Sequence, residues 1–237
     1  MDLINILKEI NKIYLFFLTG FVPPTIDTSL KRRILFFLNI LLILVITNVF
    51  SILLTFYSQE FFHFDLPEKI DRDRDYSLSS IHNLIIAVIV APVFEELTFR
   101  KGLRFSKNNL VITIAGALFF VLRIVFMIKM MIVIPIIISA VILLSTYKHR
   151  NLFLKLNAFW NSSPRVIFYV SLFLFTFLHL LNYDISLRVL LFSPLLLISQ
   201  FLSGIIYSYV RLKDSIYASI LIHSIDNLLL ILFLNFL

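Results

Sequence analysis

Residues 34–57 read ILFFLNILLILVITNVFSILLTFY, with no Asp, Glu, Lys or Arg among them. A helix needs about 20 mostly apolar residues to cross the hydrocarbon core of a bilayer, so this run is long enough to span one. Lys31, Arg32 and Arg33 stand directly before it, and basic residues mark the cytoplasmic end of a span. The remainder of the chain is of the same kind. Of its 237 residues, 60% are hydrophobic and 15% are charged, whereas soluble domains run to roughly 45–50% and 25%. A chain of this size cannot hide so much apolar surface from water. The reading is an all-α fold, a polytopic bundle of transmembrane helices.

Working outward, further apolar runs fall at about 80–105, 110–128, 130–147, 166–183, 187–210 and 215–237. That makes about seven spans. Ahead of them, Leu3, Ile6, Leu7, Ile10 and Phe17 recur at helical spacing, with Lys8, Glu9 and Lys12 between them. This pattern suits an amphipathic helix lying in the membrane interface and ending before Pro23-Pro24. The expected organisation is therefore an interfacial segment at 1–30 and a single membrane-embedded domain at 31–237. No signal peptide is expected, because charges interrupt the first apolar stretch and no small-residue cleavage site follows.

Every second connection is basic. Lys31 to Arg33 precede the first span, Lys101, Arg104 and Lys107 follow the second, and Lys148, Arg150, Lys155 and Arg165 lie between the fourth and fifth. Arg211 and Lys213 precede the last. The alternate connections are acidic at 59–79, nearly bare around Lys129, and nearly neutral at 182–186. The expectation is a multi-pass protein with a cytoplasmic N-terminus and its C-terminus outside. The Ile, Phe, Asn and Lys-rich composition suggests a bacterial inner membrane. The net charge of +7 is then met by lipid headgroups and not by nucleic acid. Trp160, near Asn157 and Asn161, reads as an interface anchor in a short amphipathic connector. The absence of cysteine excludes disulfides, thiolate metal sites and thiol lipidation of this chain.

Ionisable groups inside hydrocarbon are costly and mark function by default. Three clusters stand out. In Glu95-Glu96-Leu-Thr-Phe-Arg100, Arg100 lies four residues after Glu96 and can pair with it. That pair reads as structural, while Glu95, turned about 100° away, is left to act as a general base. His179 ends Phe175-Thr-Phe-Leu-His179; alone, it could equally be a packed, hydrogen-bonded residue. In His223-Ser-Ile-Asp-Asn227, His223 and Asn227 share a face and can donate to one oxygen, or serve as a polar clamp between helices. Measured from the basic anchor of each helix, Glu95 lies roughly 14 Å deep, His179 roughly 21 Å and His223 roughly 15 Å. Three separate helices thus present these groups at compatible depths, and tilt absorbs the spread.

These clusters resemble the signature of the CAAX prenyl endopeptidase and bacteriocin-processing family, the intramembrane proteases that include the Ras-converting enzyme. The family pattern is E-E-x-x-x-R, then F-x-x-x-H, then H-x-x-x-N or D. Glu95, Glu96 and Arg100, then Phe175 and His179, then His223 and Asn227 match it in order. The resemblance covers about 80–230. One departure is the long interval between Arg100 and Phe175, which holds two inserted spans at about 110–147. An even number of added helices leaves the orientation of the His179 helix unchanged. Arg123, within the insertion, either pairs with an acidic group such as Glu96 or snorkels.

The resemblance implies a membrane-embedded protease of glutamate type, in which Glu95 and His179 activate a water. His223 and Asn227 would stabilise the oxyanion, and Glu96, Arg100 and Phe175 would support the site. No cofactor is implied. A zinc ion on Glu95, His179 and His223 is the chemical alternative, since His₂Glu is a known ligand set. However, no H-E-x-x-H is present, and the resemblance favours a metal-independent mechanism. The expected partners are the bilayer and a peptide or protein substrate presented at it, such as a bacteriocin leader, a signalling peptide or a membrane protein. The competing reading is a non-proteolytic relative acting in bacteriocin immunity or as a membrane scaffold.

Overall fold

In this computed structural model the described residues are 3–23, 29–62, 67, 81–126, 138, 141 and 150–235, and no strand occurs among them. The helices are α1 (Leu3–Thr19), α2 (Leu30–Phe62), α3 (Ile81–Ile85), α4 (Ala91–Phe99) and α5 (Lys107–Phe126). They continue as α6 (Arg150–Ser162), α7 (Pro164–Leu178), α8 (Leu187–Leu196), α9 (Ile198–Lys213) and α10 (Ile216–Asn235). A π segment, Ile86–Val90, joins α3 to α4, and 3₁₀ turns at Lys101–Leu103 and His179–Asn182 follow α4 and α7.

Four stretches are long and apolar enough to cross a membrane: Leu30–Phe61, Ile81–Leu103, Pro164–Asn182 and Ile216–Phe233. They coincide with the runs at 34–57, 80–105, 166–183 and 215–237. Much of their surface is apolar and faces outward, as with Leu38, Val45, Ile46, Val49 and Phe50 of α2. Contiguous apolar surface of that kind is stable against lipid and not against water. The run at 110–128 falls on α5, whose segment Lys107–Phe120 is apolar but shorter than a span. All of the run at 130–147 except residues 138 and 141, Lys129, most of the acidic connection at 59–79 and the side chain of Arg123 lie outside the described residues.

The run at 187–210 is not one straight helix. It is α8 followed by α9, bent by 48° and a fifth candidate span if the pair counts as one. The break falls at Leu197 (φ −109°, ψ 4°), and Pro194 stands three residues before it. This proline lies inside α8, has no N–H to give the carbonyl four residues back, and crowds it. That carbonyl belongs to Leu190, and the Ser193 hydroxyl donates to it instead (2.8 Å).

Beyond the bend, every residue from Ser203 to Arg211 is buried. A helix covered on all sides is the centre of its bundle, and α9 packs against α2, α7 and α10. The basic ends of the helices gather at one end of the bundle. Arg211 donates to the carbonyls of Arg100 and Lys101 (3.2 and 3.4 Å). In return Arg104 donates to the carbonyl of Leu212 (2.6 Å). Each arginine thus caps carbonyls where the other's helix ends, the favourable place for a cation. Arg33 holds Asp214 through two hydrogen bonds of 3.1 Å. Trp160 is more than an anchor: its indole donates to the Gly102 carbonyl (2.7 Å), tying α6 to the turn after α4.

The N-terminal helix ends as expected, before Pro23, with Gly20 at φ 66°. Its inner face differs from the expected one. Ile6, Glu9, Ile13 and Phe16 are buried against the bundle, while Leu3, Leu7 and Ile10 are exposed. Glu9 is satisfied there by Tyr209 of α9 (2.5 Å) and by Lys12 (2.8 Å).

Candidate active site

The site begins with a proline. Pro92 stands near the start of α4 and has no N–H. In a π segment each carbonyl bonds the N–H five residues on, which for Ala87 is Pro92. The N–H of Ala91, four residues on, goes instead to Ile86. The Ala87 carbonyl therefore lacks a helical partner, and an unpaired carbonyl in an apolar setting is costly. Asn227 of α10 supplies the donor, its amide reaching Ala87 O at 2.9 Å. This contact ties α10 to the π segment just ahead of Glu95 and Glu96. It uses one of the two amide hydrogens of Asn227 and leaves the other for a ligand.

On the next turns of α4, Glu96 is wholly buried. His223 Nδ1 lies 3.0 Å from its Oε1, and Arg100 Nη1 lies 3.4 Å from the same oxygen. The Ser219 hydroxyl donates to its Oε2. The expected Glu96–Arg100 pair is present, and it has gained a histidine and a serine from α10. The Arg100 guanidinium is buried and makes no hydrogen bond among the described residues. Its charge is met by Glu96 and by the face of Phe175, 3.6 Å from the ring centroid. Gly204 of α9 makes the room, since a Cβ there would come within 3.3 Å of Arg100 Nη2. Phe175 is thus more than a spacing residue: it carries Arg100 and also abuts both His179 (4.8 Å between centroids) and His223 (6.2 Å).

Glu95 is the less buried of the two carboxylates, with 16% of its side chain exposed. The sequence left it without a partner, and the structure places His223 Nε2 3.7 Å from its Oε2. His223 therefore lies between the two carboxylates. His179 stands at the end of α7, where the helix tightens into the 3₁₀ turn that completes the Pro164–Asn182 stretch. Its Nδ1 meets the Phe175 carbonyl at 2.9 Å. A carbonyl only accepts, so Nδ1 carries the proton and neutral His179 keeps a lone pair on Nε2.

Sequence reasoning missed a second polar layer. Tyr207 of α9 stacks on His223, with centroids 4.2 Å apart and planes 20° apart. Its hydroxyl donates to Asp226 Oδ2 (2.5 Å), and Asn48 of α2 donates to Asp226 Oδ1 (2.8 Å). Two signals were visible: Asp226 adjoins Asn227, and Asn48 is a polar residue within the apolar run at 34–57. Ser219 and Tyr207 carry no such mark.

Two helices thus set an imidazole between two carboxylates, a third brings His179 against the shared Phe175 ring, and what this arrangement suits is the polarisation of a water beside a carbonyl. Comparison with curated proteins and with solved structures gives no match. The family model for the Rce1-like type II CAAX prenyl endopeptidases matches residues 77–229, a stretch that takes in every residue of the Glu95, Glu96, Arg100, Phe175, His179, His223 and Asn227 set. The chain belongs to this family of membrane proteases, the Rce1-like type II CAAX prenyl endopeptidases.

Proposed function

We propose that the chain is an intramembrane endopeptidase that hydrolyses a peptide bond near the bilayer with a water activated by Glu95 and His179. The observation that carries this reading is the meeting of Glu95, Glu96 and His223 at 3.0–3.7 Å, with His179 and His223 packed on the same Phe175 ring. Glu95 takes a proton from water as the water oxygen adds to the carbonyl carbon. The negative charge that develops on the carbonyl oxygen is met by the second amide hydrogen of Asn227 and by the Nε2–H of a doubly protonated His223, whose Nδ1–H goes to Glu96. Collapse of the adduct breaks the C–N bond, and Glu95 returns its proton to the departing amine. His179 orients the water through its Nε2. Glu96 and Arg100 hold His223 and Phe175 in place. These steps need no metal ion.

The same reading holds the bundle to be seven-spanning, in a bacterial inner membrane, with the N-terminus cytoplasmic and the C-terminus outside. Its substrate is a membrane-presented peptide, such as a bacteriocin leader, a signalling peptide or a terminus of the prenylated C-a-a-X type. The test is cleavage by the purified protein in liposomes, using internally quenched peptides with and without a prenylated C-a-a-X terminus. Wild type is expected to cleave, and Glu95→Ala and His179→Ala to lose cleavage while remaining folded. Wild-type rates in both variants would overturn the reading.

A further inference from the structure

One imidazole in the site is held by more than its hydrogen bond. The contact between His223 Nδ1 and Glu96 holds one edge of the ring, and what packs on its faces sets the tilt of its plane. The face of Tyr207, 4.2 Å away and nearly parallel, supports that plane from one side. Tyr207 can serve as a platform only if it is itself tethered, and its hydroxyl ends on Asp226. Asp226 lies three residues after His223, on the same helix, so the tether closes a ring: His223, α10, Asp226, Tyr207 and back. The remaining oxygen of Asp226 is held by Asn48 Nδ2, and Asn48 Oδ1 accepts from Ser199 (2.9 Å). The amide of Asn48 is thus used at both ends. Tyr207, His223, Asp226 and Asn48 are all buried, where a bond lost from such a chain is not replaced by solvent.

We propose that Asn48, Asp226 and Tyr207 are positioning residues for His223, forming a hydrogen-bonded chain that runs from α2 into the site and fixes the plane in which Nε2 faces Glu95. Asn48 lies outside residues 77–229, the stretch that matches the family. The first membrane helix is therefore part of the reacting unit and not only a wall around it. The proposal rests on the hydrolytic reading above, and it has a readout that does not depend on cleavage.

The experiment uses the full-length protein in liposomes, with Asn48→Ala, Tyr207→Phe and the double variant. Tyr207→Phe keeps the ring and removes only the tether. Turnover per folded molecule on the quenched peptides is expected to fall about tenfold in each single variant through loss of alignment, with KM within twofold. The double variant is expected to fall no further, because both changes cut one chain. In parallel, protein labelled with ¹³C at its five histidines reports the His223 ring, assigned with His223→Gln. The stacked ring of Tyr207 shields the His223 ring protons, and both single variants are expected to move that resonance downfield. Unchanged turnover with an unchanged resonance, a change in KM alone, or multiplicative losses in the double variant would each overturn the proposal. If wild type cleaves neither peptide, the hydrolytic reading has failed, and the resonance alone decides the positioning chain.

Discussion

At the scale of single residues, the site is organised around charges that hydrocarbon would otherwise expel. Glu96 and Arg100 are nearly inaccessible on both sides of their 3.4 Å pair. Breaking such a pair by removing one partner strands the other charge. Arg100→Ala and Glu96→Gln are therefore each expected to destabilise the protein by about 3–5 kcal/mol, read from thermal unfolding in detergent. Arg100→Lys is expected to rescue little, because an ammonium cannot lay a flat cation on the face of Phe175 as the guanidinium does. These two residues, with Glu95 and the two histidines, were legible in the sequence because a charge in an apolar run is conspicuous. Tyr207 was not legible. Nothing separates it from the other tyrosines until the bend at Leu197 aims α9 so that its ring lies on His223.

At the scale of elements, two prolines mark irregular points of the bundle, and only the apolar lengths around them could be read in advance. The runs at 34–57, 80–105, 166–183 and 215–237 became helices because their length and composition leave no cheaper conformation in lipid. The run at 187–210 has the same composition, but it breaks at Leu197, three residues after Pro194. Pro92 acts more locally, freeing the Ala87 carbonyl that Asn227 then satisfies. Asn227→Leu is expected to cost about 1–3 kcal/mol by leaving that carbonyl unpaired. In a Pro92→Ala background, where residue 92 regains its N–H, the same change is expected to cost distinctly less. A double-mutant cycle on thermal stability checks this, and equal costs in the two backgrounds would show that the contact does not serve the proline. Asn227 was read either as a second donor beside His223 or as a polar clamp between helices. Its first bond goes to backbone, for a reason that depends on which N–H groups the π segment leaves over.

At the scale of the whole molecule, the reciprocal arginine caps place the ends of α4 and α9 together, beside the Arg33–Asp214 pair. This one-sided gathering of cations supports the expected orientation, with that end in the cytoplasm. The chain has no cysteine, so single cysteines can report sidedness. In intact bacterial cells, Ser186→Cys is expected to react with a membrane-impermeant maleimide, whereas Ser106→Cys is expected to react only after the membrane is opened. The reverse pattern would invert the topology. The alternation of basic connections that motivates this was plain from the sequence. The docking of α1 through buried Glu9 was not, because a carboxylate at helical spacing among lysines reads as a solvated face until Tyr209 is found opposite it.

The central claim is that Glu95 hydrolyses peptide bonds from this buried constellation without a metal ion. The most direct measurement is the cleavage rate of wild type and Glu95→Gln in liposomes containing a zinc chelator, with the products identified by mass. The account predicts that wild type keeps its full rate under chelation and yields a single internal cut, while Glu95→Gln is slower by about 10²–10⁴-fold, the usual worth of a general base. Loss of wild-type cleavage on chelation, or a Glu95→Gln rate equal to that of wild type, would contradict it.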